Sequence, residues 1–481
     1  MASGASGSVR CVSFPWADSP PTAAHRAAYA DAEPVPYWLA NLPAREPYPP
    51  LTSTTKADLC IVGGGFTGLW AALHAKRDDP WRDVVVLEKD TIGFGASGRN
   101  GGFIVSSLTH GIANGMARFA DEMPELERLA AENYAGLKQD LAAHGIDCDL
   151  EETGELLAIL EPYQDAWIEE ESELLEAFGH EGITFDAAEM RRQLDSPLYR
   201  GGVWDRTGAG ILDPAKLADE LRAAAIRLGV RIYEGTAVTG LRDEGGHVEV
   251  QTAGGRIRAA KVLLATSAYP PLLRQMKRYI APVYDYALVT EPIDLETTIG
   301  WPNRQGVGDG ANQFHYYRLT KDNRILWGGY DAVYRFAGPV SAKLDDHDPT
   351  FASLSQHFFT TFPQLEGIRF THRWGGAIDT CSRFSVFFGT AHEGKTAYAV
   401  GYTGLGVAAT RFGAQTALDL LNGKRSRLGY VNKKPVPFPP EPLKYGVIQL
   451  TRNRLAAADR HQGKRGIWLR TLDRLGLGFD S

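Results

Sequence analysis

Three glycines, Gly63, Gly65 and Gly68, stand in the spacing G-x-G-x-x-G, with Phe66 and Thr67 inside the turn. They follow the apolar run ADLCIV and precede LWAALHAKR, which has the pattern of an amphipathic helix. In such a turn Gly63 permits the bend, Gly65 lets the backbone approach a pyrophosphate, and Gly68 lets the helix pack closely on the strand. The free N–H groups and the helix dipole then face phosphates. Glu88 follows Gly68 by twenty residues, at the end of VVVLEK and beside Lys89. A carboxylate there accepts hydrogen bonds from ribose hydroxyls and repels a 2′-phosphate, which disfavours NADP. The spacing implies a dinucleotide, NAD or FAD. A second stretch, GFGASGRNGG (93–102), is unusually rich in glycine for a surface loop and positions both Arg99 and Asn100.

The elements around these motifs fit that chemistry. Strand, glycine turn, helix and strand over residues 57–89 make a βαβ unit of a parallel sheet. DPAKLADELRAAAIRLG (213–229) is a helix with Asp213 at the N-cap, Pro214 in the first turn and Gly229 as its stop. TGELLAIL (153–160), RIYEGTAVTGL, HVEVQTAGGRIRA and KVLLATSA are strand-like, and residues 116–195 supply Ala-, Leu- and Glu-rich surface helices. Aromatic strands QFHYYRL and RILWGGY precede a helix around SLSQHFFTTF. AYAVGYTGLG then leads into VAATRFGAQTALDLLNG, a further strand, glycine turn and helix with Gly404, Leu405 and Gly406 at the bend. The chain ends on the motif type with which it began, so one nucleotide-binding domain is expected from separated segments, with a second domain inserted.

With these motifs in order, residues 57–423 resemble the FAD-dependent D-amino-acid oxidase-like superfamily and, within it, the gamma-glutamylputrescine oxidoreductases. ADLCIVGGGFTGL, VVVLEKDTIGFGASGRNGGF, YYRLTKDNRILWGGY, TFPQLEGIRFTHRWGG and GYTGLGVAATRFGAQTALDLLNG carry the resemblance. It implies an α/β fold: a Rossmann-like FAD-binding domain (56–115, 201–270 and 371–423) with an inserted α+β, mixed-sheet substrate domain (116–200 and 271–370). Residues 1–55, rich in Pro, Ala and Ser, form an extended arm, and 424–481 a basic tail. FAD is expected to contact Gly95, Ala96, Ser97, Arg99, Asn100, Gly101 and Gly102, besides the first glycine turn, Glu88 and Lys89. Ala237 and Val238 would serve the adenine, and Ala265, Thr266 and Ser267 would pass near the cofactor. Gly404, Leu405 and Gly406 would flank the pyrimidine end, where a helix beginning near Val407 stabilises negative charge on the reduced flavin.

On the reacting face, Tyr317 and Trp374 are expected to shape a small amine pocket, with Tyr316, Arg318 and Arg383 nearby and Arg99 as a further catalytic candidate. His110, His315 and His372 lack ligand spacing, so no metal is expected. TCSRFSVFFG (380–389) departs from relatives, with Ser385 in place of a usual proline. Cys381 lies several residues from where some relatives attach FAD, so the FAD is expected to be noncovalent.

The resemblance implies an amine oxidase acting on a polyamine derivative of the gamma-glutamylputrescine type. Hydride passes from the amine α-carbon to flavin N5, water hydrolyses the imine to an aldehyde, and O2 reoxidises the flavin to give H2O2. A neutral amine needs no obligatory acid–base residue, and its free pKa of roughly 10.4 makes the rate rise with pH. The alternatives are an amino-acid or aminophosphonate oxidase with Arg99, Arg318 or Arg383 as anion anchor, a dehydrogenase using another acceptor, or a non-catalytic flavin-holding protein. The balance of 51 Lys+Arg against 58 Asp+Glu argues against a nucleic-acid binder. There is no signal-peptide pattern or long apolar span, and the four scattered cysteines suit a reducing compartment, so a cytoplasmic protein is expected, with room for a homo-oligomer. The tail holds thirteen Lys/Arg and four Asp/Glu, and is expected to pack on the acidic helices of 116–195.

Overall fold

The computed structural model describes Trp16 and residues 20–478; most of the first nineteen residues of the expected arm, Cys11 included, lie outside the described residues. Two sheets dominate. In the first, the strands run in the order Phe387–Ala391, Thr396–Val400, Arg256–Leu264, Thr55–Val62, Val84–Leu87 and Arg231–Tyr233. All neighbours are parallel except the Phe387–Ala391 edge, and Val238–Asp243 and Val248–Thr252 extend antiparallel from Arg256–Leu264. Helices cover one face, so Leu59, Ile61, Val84 and Val86 are buried under Phe66–Asp78, Pro214–Arg227 and Ala409–Leu421. Burial on both faces is why these strands read as unbroken apolar runs.

Asp213 caps its helix as expected, accepting from the N–H groups of Ala215 and Lys216 at 3.0 Å each, and Gly229 follows with φ +82°. At the first glycine turn the constraint is steric. A Cβ on Gly68 would collide with the carbonyl oxygen of Gly63, and one on Gly63, at φ +110°, with that of Ala265.

The second sheet runs Val333–Tyr334, Ala281–Thr290, Ile325–Gly329, His315–Leu319, Gly306–Asp309, Glu155–Ile159, Gly201–Asp205 and Gly182–Asp186, with Phe370–Thr380 also paired to Ala281–Thr290. Helix Asp348–Thr361 packs beneath it on a core of aromatic and aliphatic side chains. Two expected domain limits shift accordingly. Gly201–Asp205 pairs with Glu155–Ile159 and Gly182–Asp186, and Phe370–Thr380 pairs along most of its length with Ala281–Thr290, so both strands belong to the second sheet. Conversely, Leu126, Ala130, Leu137 and Leu141 of helix Met123–His144 join the core of the first sheet's helical layer, although the helix falls in the expected substrate domain. Pairing between distant segments decides these limits, and local composition does not report it.

The described part of the arm is packed rather than free. Tyr29 enters the core beneath the second sheet, Trp38 donates from its indole to Asn100 O (2.9 Å), and Arg45 forms two bonds to the buried Glu234 carboxylate (2.8 and 2.6 Å).

Gly68→Val should lower unfolding free energy by at least about 2 kcal/mol, because no flexible atom can yield to the new side chain. Gly246→Ala, where nothing lies within 4 Å of the added carbon, should leave stability unchanged in the same urea titration.

Candidate active site

One continuous cavity of ≈ 890 Å³ lies between the two sheets, at the upper end of ligand-site sizes. Gly63, Gly65, Phe66, Thr67, Glu88, Lys89, Val238, Ala265 and Thr266 line one part of it. The Glu88 carboxylate accepts from Gly64 N (2.7 Å) and Asp90 N (2.9 Å), and burial raises its pKa. Lys89 pairs with Asp90 and sits 5.2 Å from the Tyr269 ring. Ser97 Oγ accepts from Phe66 N at 2.9 Å, fixing the second glycine loop against the first; a Cβ on Gly65 would stand 2.8 Å from that oxygen. Thr266 Oγ1 is buried without a hydrogen-bond partner. A backbone cradle closed to any Cβ, a carboxylate on the wall and an orphaned hydroxyl fit a dinucleotide.

Gly95, Ala96, Ser97, Arg99, Asn100 and Gly101 continue the lining, and Gly404, Leu405 and Gly406 close that end. The following helix is Ala409–Leu421, two residues later than expected. Asp379, buried with its pKa pushed up to about 6 by desolvation, accepts from Gly401 N at 2.6 Å and so holds this turn. Two expected contacts do not reach the cavity. Gly68 packs helix on strand, and Gly102, at φ +75°, lies against Leu212 O, where a Cβ would collide.

Arg99 lines the cavity, but its guanidinium is engaged. It donates to Phe94 O (3.0 and 2.8 Å), Gly375 O (3.0 Å) and Asp345 (2.7 Å), with its side chain 8% exposed. This arginine clasps the glycine loop to the second sheet, which replaces its expected catalytic role. Arg318 donates to Gly102 O, Leu212 O and Leu319 O, and Arg383 to the carbonyls of Ser385, Val386, Tyr430 and Lys433. None of the three expected anion anchors is available to a substrate.

On the second sheet, Trp374 lines the cavity and donates from its indole to Arg99 O at 2.9 Å. Tyr317 does not line it. Its side chain points to the opposite face, its ring tilted at 4.6 Å from that of Trp327 and its hydroxyl bonded to Tyr199 Oη at 2.6 Å. The alternation of a strand puts its neighbour Tyr316 in the cavity instead, over Gly101 and opposite the bare Gly328. Tyr316 Oη donates to Asp285 at 2.5 Å. Asp285 pairs with Gly376, and Ala287 with Trp374, so Asp285 and Trp374 share one face. Asp285 is half-buried, and desolvation pushes its pKa up to about 6. Sequence reading missed it; the one signal was an acid inside the apolar strand APVYDYALVT.

The histidines divide. His110 lines the cavity, whereas His315 is buried between Asp309 (2.8 Å) and His357 (2.9 Å), and His372 meets the Tyr37 ring. Among the described residues no group of His, Cys, Asp and Glu is placed to hold a metal. Among the described residues no helix is long and apolar enough to cross a membrane.

The tail meets the expected helical region at its edges, where Glu122 accepts from Gly429 N (2.6 Å) and Tyr430 N (2.9 Å) and Tyr163 lies against Gly463, but most of it takes a different place. It lies across the cavity, contributing Val436, Pro437, Phe438, Val447, Leu455 and Leu472 among others to the wall. Its further anchors are on the second sheet and its loops: Asp459 accepts from Asn312 and Gln313 N–H groups, Glu441 accepts from Tyr334 Oη (2.6 Å), and Arg452 pairs with Asp331. Apolar burial and specific capping outweigh the net-charge match to the acidic helices.

A parallel sheet with a glycine-turn cradle, opening onto a buried pocket under a second sheet, defines a dinucleotide-dependent oxidoreductase of the flavoprotein type. The FAD dependent oxidoreductase family matches residues 58–420, and the chain belongs to it. It is similar to the gamma-glutamylputrescine oxidoreductase of Escherichia coli, 34% identical over 416 residues covering 84% of this chain and 92% of that protein. A probable oxidoreductase, OrdL, of Haemophilus influenzae is 31% identical over 81% of this chain and 88% of its own length. The crystal structure of glycine oxidase from Geobacillus kaustophilus superposes with TM-score 0.64 at 21% identity, covering 79% of this chain and 99% of that one, a likeness of fold. The chain is therefore an FAD-dependent oxidoreductase, and the tail lies beyond the family match.

Replacing Glu88 by Gln removes a charged acceptor from the cradle. FAD affinity, measured by titrating apoprotein and following flavin fluorescence, should fall about tenfold; unchanged affinity would place the cofactor elsewhere.

Proposed function

We propose that the chain oxidises the primary amine of a polyamine derivative of the gamma-glutamylputrescine type, with O2 as final acceptor. The overall reaction is R–CH2–NH2 + O2 + H2O → R–CHO + NH3 + H2O2. FAD would be held by the glycine turns, Glu88 and the 404–406 bend, and would supply the acceptor for the electron pair of the α-C–H bond. The observation that carries the reading is the sign of the charge on the wall beside the Gly95–Gly101 loop. The Asp285 carboxylate is presented there, while Arg99, Arg318 and Arg383 spend their donors on backbone carbonyls and Asp345. Such a wall suits an ammonium and leaves an α-carboxylate without a partner, which favours an amine over an amino acid or aminophosphonate.

The chain's own part is proton management and exclusion of water. An alkylamine arrives protonated, its pKa being roughly 10.4. Asp285 pairs with the ammonium and takes a proton on a carboxylate oxygen, while Tyr316 Oη steadies the carboxylate by donating to it. Tyr316, Tyr330 and Trp374 present aromatic surface that disfavours the charged amine. The neutral amine then carries the lone pair that the oxidation requires, and water completes hydrolysis of the substrate imine.

Noncovalent FAD is part of the proposal: the Cys381 thiol is buried, its pKa is raised by desolvation, and it faces Ser385 O and Gly401 O at 3.2 and 3.4 Å. The free thiols of Cys60, Cys148 and Cys381 suit the reducing, cytoplasmic setting we assign.

The carboxylate of Asp285 accepts a proton only when ionised, and its pKa is raised to about 6. In the free enzyme kcat/KM for amine-dependent peroxide release should therefore rise as pH passes through about 6, ahead of the further rise toward the amine pKa. Asp285→Asn should lower kcat/KM by about a hundredfold and erase the limb near pH 6. A wild-type limb preserved in the variant would remove Asp285 from this role.

A further inference from the structure

We infer that the C-terminal helix Leu443–Arg460 forms the distal wall of the substrate pocket and that Arg452 recognises a carboxylate at the substrate end remote from the oxidised amine. This rests on the amine reading given above and extends it to the opposite end of the molecule. Val447, Ile448, Thr451, Arg452 and Leu455 all line the cavity, and their spacing places them on one face of the helix. The helix is held in register on the second sheet at both ends. Lys444 donates to Ile280 O (2.7 Å), and Asp459 accepts from Asn312 N, Asn312 Nδ2 and Gln313 N (2.9, 2.7 and 3.1 Å). Leu472 and Leu477 extend the same wall.

Among the described residues the Lys and Arg side chains lining the cavity are Lys89, Arg99 and Arg452. Lys89 stands beside Glu88 in the dinucleotide cradle and pairs with Asp90, and Arg99 is the interdomain clasp. Arg452 is the one set on the substrate side. It pairs with Asp331, whose other carboxylate oxygen accepts from Thr350 Oγ1 at 3.1 Å. A guanidinium has five N–H donors and one carboxylate engages two, so Arg452 retains the fork needed for a second carboxylate. Asp331 meanwhile holds the guanidinium in place. An ion pair on an apolar wall adds little stability, and its use is selectivity. Val447, Ile448 and Leu455 cover an aliphatic chain, leaving a substrate with an amine at one end, hydrocarbon between and an anionic group at the other.

Two amine-free probes test this on the FAD-loaded, full-length protein by calorimetry: N-butylglutaramate, which carries the carboxylate, and N-butylpentanamide, which lacks it. Wild type should bind the first about tenfold to a hundredfold more tightly. R452Q should abolish that preference and R452K restore part of it. Equal binding of the two probes by wild type, or a preference that survives in R452Q, overturns the assignment. In turnover, the ratio of kcat/KM for gamma-glutamylputrescine over N-acetylputrescine should collapse in R452Q by a similar factor; an unchanged ratio also overturns it. If wild type oxidises no amine, the functional reading fails, while the binding preference still decides the role of Arg452.

Discussion

A buried guanidinium must be paired on every side, and at Arg99 that requirement joins the two halves of the molecule. Its donors reach Phe94 O within its own loop and Gly375 O and Asp345 in the other half, while the Trp374 indole returns a bond to Arg99 O. Removing one partner would strand the rest of a buried charge, at a cost of roughly 3–5 kcal/mol. The loop and the strand Phe370–Thr380 are thus fixed relative to each other. The shape of the cavity follows from that fixed relation, since the glycine loop forms one wall and the second sheet the other.

The clasp also explains the electrostatic character of the pocket. Cations that sequence suggests for substrate anchoring are consumed in holding backbone carbonyls, as Arg318 and Arg383 show. Carboxylates are left on the wall, Asp379 buried and Asp285 half-buried, both shifted upward by desolvation. Asp379 uses its oxygens to hold the Gly401 turn, whereas Asp285 has a tyrosine hydroxyl as its side-chain partner. The difference separates a carboxylate that shapes the cavity from the one we propose as the proton acceptor.

Legibility in the sequence followed the range of the interaction involved. The glycine turns were readable because a positive φ at Gly63 and a missing Cβ at Gly68 are local demands. Asp213 and Pro214 marked their helix for the same reason. Phase was harder: HYYRL alternates, but nothing local says which tyrosine faces the cavity, and Tyr316 rather than Tyr317 does. Long-range pairing was harder still. The second-sheet membership of Gly201–Asp205 and the course of the tail depend on partners far along the chain. Net charge pointed the tail toward acidic helices, yet the apolar stripe through Val447, Ile448 and Leu455 set its place over the cavity.

The most direct measurement is an anaerobic titration of the purified, FAD-loaded protein with gamma-glutamylputrescine, following the flavin absorbance band. Stoichiometric bleaching by the amine, with colour and peroxide appearing together when air is admitted, is the expected result. A yellow protein whose band stays unchanged with this and other amines, but bleaches with an α-amino acid, would contradict it.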